Sequence, residues 1–157
     1  MIDFSISLLG PNITVRTTEN GNGAMENILL GHIKPINGGN LTRSVTCHSY
    51  LFPYGMYYCH SIATVRLYDV EILDIKNKTK INQAIILCHM DTSSWVSAHV
   101  AFKLFGSSPG KTEVCHWIMQ NNLSWMVLSD DVVGEDESME GLLMLTETES
   151  KKGRNMS

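Results

Sequence analysis

The sequence predicts an α+β fold that is predominantly antiparallel β-sheet, with a short helix at the N-terminus. Residues 1–10 carry their apolar side chains at helical spacing. Residues 64–73 and 80–89 are two β-rich runs joined by a short polar loop, which is typical of a β-hairpin. Aromatic residues concentrate in the strand-like centre of the chain, at residues 50–58. Together these patterns predict one sheet-based domain.

The N-terminal helix is predicted from a single apolar face. Ile2, Ile6 and Leu9 fall on the same side of a helix. Gly10 and Pro11 follow directly, and this pair is typical of a helix end. We therefore expect the helix to stop at residue 10.

The segment between the helix and the centre is less regular. Residues 12–17 alternate in part between apolar and polar side chains and predict a short strand. Residues 19–23 are rich in Gly and Asn and predict a loop. Residues 24–32 fit either a helical turn or a strand, and the pattern does not decide between them. Residues 35–40 contain Asn-Gly-Gly and predict a turn.

The second half of the chain predicts further strands. Residues 44–48 read as a strand that leads into the aromatic segment. Residues 98–105 alternate in part, as a strand would, and residues 107–110 form a Ser-Ser-Pro-Gly turn. Residues 113–128 are apolar and predict one or two additional strands.

Length and composition limit the possible classes of protein. With 157 residues the chain is long enough for one domain with a substantial core. A net charge of −4 and the lack of a basic stripe argue against a nucleic-acid-binding protein. The longest apolar run, residues 84–87, is the length of a strand, so we expect no membrane span.

The composition changes after residue 128. Residues 129–157 hold eight of the sixteen acidic residues and three of the twelve basic ones. High charge with few large apolar side chains does not support a packed core. We therefore expect a folded domain over residues 1–128 and an acidic, disordered tail over residues 129–157.

Two features bear on localisation and point in different directions. The first residues lack the basic lead and the apolar core of a signal peptide, which by itself predicts a cytosolic chain. Five N-glycosylation sequons, which matter only in the secretory pathway, argue against that. We expect a secreted mature chain whose signal peptide is absent from this sequence. The candidate glycosylation sites are Asn12, Asn40, Asn77, Asn122 and Asn155.

A Cys-His dipeptide occurs four times and dominates the chemistry of the chain. Every cysteine is followed directly by a histidine, and four of the six histidines are placed in this way. Successive pairs are separated by 10, 27 and 25 residues. The pairs are Cys47-His48, Cys59-His60, Cys88-His89 and Cys115-His116.

Adjacent side chains on a strand point to opposite faces, so a Cys and the following His do not readily bind one ion. This favours cysteines that pair as disulfides on one face and histidines that converge on a metal on the other. Three disulfide connectivities are possible, and a hairpin around residue 54 favours Cys47 with Cys59. Imidazole ligands without thiolates suit copper or zinc, and the affinity order favours copper.

Two other interpretations of the dipeptides remain open. One is a zinc site of mixed thiolate and imidazole ligands, although the Cys-x2-4-Cys spacing of structural zinc sites is absent. The other is a set of hydrogen-bonded core histidines beside ordinary disulfides.

Several further residues are candidates for the same site. The run Asp91-Thr92-Ser93 predicts a turn with capped backbone groups rather than the lining of a pocket. For His99 a structural role is favoured over metal binding. A cluster of tyrosines could couple oxidatively, but core packing or cross-strand pairing is favoured for them. These tyrosines are Tyr50, Tyr54, Tyr57 and Tyr58.

The spacing Cys-His-x10-Cys-His-x27-Cys-His-x25-Cys-His resembles the signature of the plant BURP domain family. The intervening residues agree, with Phe-Pro-Tyr at 52–54, Cys-His-Met-Asp-Thr-Ser-Ser-Trp at 88–95 and Trp125. The helical stretch 1–10 also resembles an earlier segment of that domain. The resemblance covers about residues 1–127 and lacks the upstream part of the domain.

The resemblance implies a plant protein of the apoplast, cell wall or storage vacuole. Members include seed proteins, dehydration-responsive proteins and the non-catalytic beta subunit of polygalacturonase, so we expect a non-catalytic, wall-, seed- or stress-associated protein. Its implied partner is a cell-wall polysaccharide or a wall protein. The alternative is a copper-dependent cyclase that crosslinks Tyr or Trp side chains of a core peptide. In that subset the motif histidines, here His48, His60, His89 and His116, are linked to copper.

Overall fold

The computed structural model describes residues 1–19, 21, 27–51 and 54–127. Within these residues there are two α-helices, one 3-10 turn and seven strands. The helices are α1 (Ile2–Leu9) and α2 (Val100–Phe105), and the 3-10 turn is Ile36–Gly39. The strands are β1 (Ile13–Arg16), β2 (Ile28–Pro35), β3 (Thr42–Tyr50), β4 (Met56–Asp74), β5 (Lys80–His89), β6 (Val114–Ile118) and β7 (Leu123–Val127).

All strand pairs are antiparallel and belong to one sheet. Its order is β1-β7-β3-β4-β5-β6, and β2 pairs with β4 off this path. β4 is 19 residues long and pairs with β3 through its first half and with β5 through its second half. The register of β3 and β4 shifts between Thr42 and Ser44, which marks a bulge. β4 therefore joins the two halves of the sheet that carry the Cys-His dipeptides.

The segment after the edge strand β1 crosses to the opposite half of the sheet. The hydroxyl of Thr18 donates a hydrogen bond to the carbonyl of Ile118 in β6 and accepts one of 3.1 Å from the amide of Ile85 in β5. The amide of Glu19 donates to the carbonyl of Gln83 at 2.8 Å. These bonds connect both ends of the strand order, so the sheet curls on itself.

The main core consists of two apolar clusters on opposite faces of β4 and β5, and a third, smaller cluster lies at α2. The alternation of side chains along each strand separates the two main clusters. One cluster comprises Tyr68, Val70, Ile72, Ala84, Ile86, Cys88 and Cys115. The other comprises Val65, Leu67, Ile85, Leu87, Ile118 and Met126.

The predicted fold class is confirmed as predominantly antiparallel β-sheet with a short N-terminal helix. α1 contacts β3 and β7, buries Ser5 and is followed by Gly10 at φ 89°. The hairpin is confirmed as β4 and β5. The undecided segment 24–32 contributes the start of β2 from Ile28 onward, and residues 113–128 contribute two strands rather than one. The acidic tail lies outside the described residues.

The strand predicted from the partial alternation of residues 98–105 is wrong, because Val100–Phe105 forms helix α2. Local capping decides the matter. The ring of His99 accepts a hydrogen bond from the amide of Ala101, and Gly106 ends the helix in the left-handed conformation. Ala101 and Phe102 are buried against Val114, which anchors the helix to β6. In the described part of the chain, no helix is both long and apolar enough to cross a membrane.

Candidate metal centre

The first two Cys-His dipeptides face each other across β3 and β4. Cys47 lies directly opposite Cys59 in the register, and the two form a disulfide with Cα atoms 4.0 Å apart. Opposed residues of an antiparallel pair point to the same face, so close pairing of these side chains follows from the register. The predicted hairpin pairing of Cys47 with Cys59 is confirmed.

The other two dipeptides face each other across β5 and β6. Cys88 lies opposite Cys115, and their disulfide spans Cα atoms 3.9 Å apart. All four cysteines of the chain are thus oxidised and paired. A thiolate is the metal-binding form of cysteine, so the interpretation as a mixed thiolate and imidazole zinc site is wrong.

His48 and His60 project from the face opposite their disulfide. Their Nε2 atoms are 3.2 Å apart, and their rings stack with centroids 5.4 Å apart and planes inclined by 13°. Tyr58 lies opposite His48 in the register and stacks on His60 at 6.0 Å. We call His48 and His60 the first imidazole pair.

His89 and His116 repeat this arrangement on β5 and β6. Their Nε2 atoms are 3.2 Å apart and their ring centroids 5.3 Å apart. Nδ1 of His116 lies 3.0 Å from the carbonyl of Trp117, so Nδ1 carries the proton and donates, which leaves the Nε2 lone pair available. We call His89 and His116 the second imidazole pair. Its members flank Leu87 and Ile118 on the same sheet face.

Each imidazole pair presents two nitrogens at a separation suited to one metal ion. Two nitrogens bound at about 2.0–2.1 Å to a tetrahedral ion lie about 3.3 Å apart. The same distance also suits a hydrogen bond between two neutral imidazoles. The described residues contain no group of three or more His, Cys, Asp or Glu that could hold a metal. The predicted histidines are therefore brought together as two pairs, each able to supply two ligands.

Burial and charge repulsion favour the neutral, metal-binding form of three of these imidazoles, His48, His60 and His89. Burial, followed by repulsion from His60 and His116, lowers the pKa of His48. Burial and then His116 lower the pKa of His60. Burial together with repulsion from the other histidines, His116 first, lowers the pKa of His89 to about 4. The pKa of each of these three histidines is lowered in part by a histidine of the other pair, so the two pairs lie close enough to interact electrostatically.

Trp95 and His99 support the second pair from the side. The Trp95 ring lies 4.9 Å from the His89 ring and 4.6 Å from the His99 ring. Nδ1 of His99 accepts from the amide of Ala101 at 3.2 Å, which gives His99 the structural role favoured by the sequence.

The residues after His89 form the predicted turn. The carboxylate of Asp91 accepts from the amide of Ser93 at 2.9 Å. The hydroxyl of Thr92 donates to the carbonyl of Thr112 at 2.8 Å and accepts from the amide of Gly110 at 3.1 Å. These bonds occupy the polar groups with backbone partners, as expected for a capped turn.

The four tyrosines of the central segment are exposed, so of the two predicted roles core packing is wrong, whereas Tyr50, Tyr57 and Tyr58 do occupy cross-strand pairs. Tyr54 is 76% exposed and Tyr58 is 60% exposed. Tyr50 and Tyr57 pair across the strands with Met56 and Ser49 and are 52% and 42% exposed. Their location on the β3–β4 hairpin places an aromatic surface beside the first imidazole pair.

Three buried polar residues on the same face as the first pair were not predicted as part of the site. Ser44 and Ser124 are fully buried and hydrogen-bond to each other at 2.9 Å. Thr46 lies opposite His60 on β4 and opposite Ser124 on β7. Ser44 and Thr46 share a face with His48 because they precede it on β3 at intervals of two, and this alternation is the signal that could have identified them. Ser124 lies on the same face because it is opposite Thr46.

The predicted glycosylation sites differ in exposure. Asn12, Asn40 and Asn77 are exposed. Asn122 is half-buried, and its side-chain oxygen accepts from the amide of Ser49 at 2.9 Å. Asn155 lies outside the described residues. Glycosylation at these sites stays a prediction.

Comparison with known proteins gives one consistent family. The BURP domain model matches residues 1–127. The chain is 54% identical over 127 residues to the tomato (Solanum lycopersicum) polygalacturonase-1 non-catalytic subunit beta, covering 81% of this chain and 20% of that protein. It is 51% identical over 127 residues to the Arabidopsis thaliana polygalacturonase 1 beta-like protein 1, with the same two shares.

A rice relative extends this result. The chain is 49% identical over 127 residues to BURP domain-containing protein 16 of Oryza sativa subsp. japonica, covering 81% of this chain and 37% of that protein. The chain spans about a fifth of the length of the polygalacturonase-type relatives it matches. Because the family model covers most of the chain and includes all four Cys-His dipeptides, the chain belongs to the BURP domain family.

Proposed function

We propose that this chain is a non-catalytic, secreted plant protein of the apoplast or cell wall that binds a wall polysaccharide or a wall protein. The observation that carries the proposal is the 54% identity to a protein named as a non-catalytic subunit of polygalacturonase. A polygalacturonase catalytic subunit is therefore the partner of first choice. The exposed tyrosines of the β3–β4 hairpin support a role in binding, since aromatic side chains contribute most at interfaces.

The binding proposal is tested with the disulfide-intact chain from a secretory host. Biolayer interferometry against purified polygalacturonase should give saturable binding. Replacing Tyr54 and Tyr58 with Ser should weaken that binding at least about tenfold if they are interface hot spots. A matched control replaces the exposed Val96 and Leu104, which lie away from the hairpin. No binding to polygalacturonase or to isolated cell walls would refute the proposal.

Secretion has its own test. Treatment of the secreted chain with a glycan-releasing amidase should lower its mass, with the exposed sequon residues Asn12, Asn40 and Asn77 as the main acceptors. An unchanged mass would contradict glycosylation at every predicted site. The family resemblance extends the proposal to seed development or the stress response. Transcript levels in developing seed and dehydrated leaf test that extension.

We further propose that the two imidazole pairs bind copper through their Nε2 atoms. The 3.2 Å nitrogen separations, the Nδ1 hydrogen bond that leaves Nε2 of His116 unprotonated and the lowered pKa values of His48, His60 and His89 support this proposal. A bound copper ion would supply Lewis acidity and one-electron redox chemistry. The pairs themselves would hold the ion and select against hard, oxygen-preferring cations.

Copper binding is tested by elemental analysis after dialysis. His60→Ala and His89→Ala, one from each pair, should each reduce the copper content, and the double variant should lose it. His32→Ala is the matched control, because His32 lies on β2 outside both pairs. Equal copper in the wild-type chain and the double variant would exclude the imidazole pairs as the site.

The second candidate function is a copper-dependent oxidative cyclase. The observation that favours it is the exposed Tyr58 ring stacked on His60. Mass spectrometry of the copper-loaded chain under oxygen discriminates the two functions. A crosslink removes two hydrogen atoms and joins two peptides, whereas the non-catalytic function predicts an unchanged mass. A loss of two hydrogen atoms that is seen in the wild-type chain but not in Tyr58→Phe would favour the cyclase.

A further inference from the structure

Thr46 occupies the position between the first imidazole pair and the neighbouring strand. It lies on β3, two residues before His48, and faces His60 on β4 and Ser124 on β7 in the register. Side chains at directly opposed positions share one sheet face, with Cβ atoms about 4.5–5.5 Å apart. The Thr46 side chain therefore lies on the face that carries His48 and His60.

The hydroxyl of Thr46 is buried and has no hydrogen-bond partner among the described residues. Thr46 is 1% exposed, and its Oγ1 is one of three buried side-chain nitrogen or oxygen atoms that have no hydrogen-bond partner in the described part of the chain. Its neighbours Ser44 and Ser124 hydrogen-bond to each other instead. A buried hydroxyl is normally paired, because an unpaired one loses its bonds to water without replacement.

A metal at the first pair would bring the missing partner with it. Two imidazoles would fill only two coordination positions of a bound metal ion, so the remaining positions would fall to solvent or to another small ligand. An oxygen atom bound there would lie beside His60, where the Thr46 hydroxyl can donate a hydrogen bond to it. Outer hydrogen bonds of this kind orient metal ligands and tune their affinity.

We propose that Thr46 is a positioning residue whose hydroxyl hydrogen-bonds to a small exogenous ligand, water or an anion, on a metal held by His48 and His60. The inference rests on the proposed copper site and assigns to it an open coordination position. The open coordination position lies on the side of the first pair that faces β7. Thr46 itself does not bind the metal.

The first test uses the metal-free protein and compares Thr46→Val with Thr92→Val. Thr92 is equally buried at 1% exposure, but its hydroxyl makes two hydrogen bonds within the chain. Thr92→Val should lower the folding equilibrium constant about tenfold, whereas Thr46→Val should lower it less than about threefold or raise it. A loss for Thr46→Val equal to that for Thr92→Val would mean that the hydroxyl is already paired, and would overturn the proposal.

The second test measures azide binding to the Cu(II)-loaded protein through its charge-transfer absorption. Loss of one hydrogen bond should weaken azide binding about fivefold in Thr46→Val, and Thr46→Ser should restore it. Thr92→Val should leave azide affinity unchanged. Wild-type azide affinity in Thr46→Val with full copper content would overturn the role of Thr46 and leave the copper site standing. Wild-type protein without copper by elemental analysis would overturn both.

Discussion

At the scale of single residues, the main feature is the separation of sulfur from nitrogen. A strand sends adjacent side chains to opposite faces, so each Cys-His dipeptide places its thiol and its imidazole on different sides of the sheet. The thiols at Cys47 and Cys59 meet directly opposite each other, and the imidazoles at His48 and His60 meet diagonally. One dipeptide thus contributes to a covalent crosslink and to a candidate ligand pair at the same time.

The protonation of His89 should make the stability of the metal-free chain depend on pH. Its pKa is lowered from 6.5 to about 4, so the unfolded chain takes up the proton first as the pH falls. The stability contributed by the neutral imidazole is complete above pH 6.5 and is lost down to about pH 4. Urea midpoints at pH 7.5, 5.5 and 4.5 should therefore decrease in this order.

His89→Gln is the control for this dependence, since it removes the titrating group. Its urea midpoint should vary less over the same range than that of the wild-type chain. A wild-type midpoint that stays constant from pH 7.5 to 4.5 would contradict the buried, neutral state of His89.

At the scale of secondary-structure elements, helix α2 shows how local capping overrides an apparent period. Val100, Phe102 and Leu104 alternate over a segment too short to distinguish a strand from a helix. The deciding signals are the His99 cap and the glycine that follows Phe105. Both residues are visible in the sequence, but whether they bound a stable helix depends on the buried contact of Phe102 with Val114.

Gly106→Ala should destabilise the protein by about 1–2 kcal/mol, because Gly106 has φ +61° and an L-residue with a side chain is strained there. A Cβ at this position meets no atom within 4 Å, so the loss is conformational rather than steric. Gly55→Ala is the matched control, since a Cβ there also meets nothing and the backbone does not have a positive φ. Equal denaturation midpoints for the two variants would contradict this account of the helix end.

The two disulfides stabilise different pairs of strands. They bridge sequence separations of 12 and 27 residues. In the chain-entropy model, loops of these lengths stabilise by about 3 and about 3.5 kcal/mol. The double variants Cys47→Ala/Cys59→Ala and Cys88→Ala/Cys115→Ala should each lower the free energy of unfolding by about that amount, as measured by urea denaturation. A loss below about 1 kcal/mol for either would show that its strand pair is held by other contacts.

At the scale of the whole molecule, the sequence specified the local elements but not how they combine. The N-terminal helix, the β4–β5 hairpin and the Cys47–Cys59 pairing follow from periodicity and from short separations. The pairing of β7 with both β1 and β3, and the crossing at Thr18, depend on contacts distant in sequence. No local pattern encodes those contacts, so they could not be predicted.

The candidate site shows the same limit. The sequence identified all four histidines and the face they share, because alternation along a strand is local. It did not reveal that they meet as two pairs, since this depends on the long-range register of β3 with β4 and of β5 with β6. It also gave no partner for the Thr46 hydroxyl, whose burial is a property of the assembled sheet.

The central claim is that the chain keeps its sulfur in disulfides and offers only imidazoles to a metal. X-ray absorption at the copper edge of the disulfide-intact, copper-loaded protein tests this most directly. The account predicts nitrogen scatterers at about 2.0 Å with the outer-ring pattern of imidazole, and no sulfur at about 2.3 Å. A copper–sulfur shell, or copper without imidazole scattering, would contradict it.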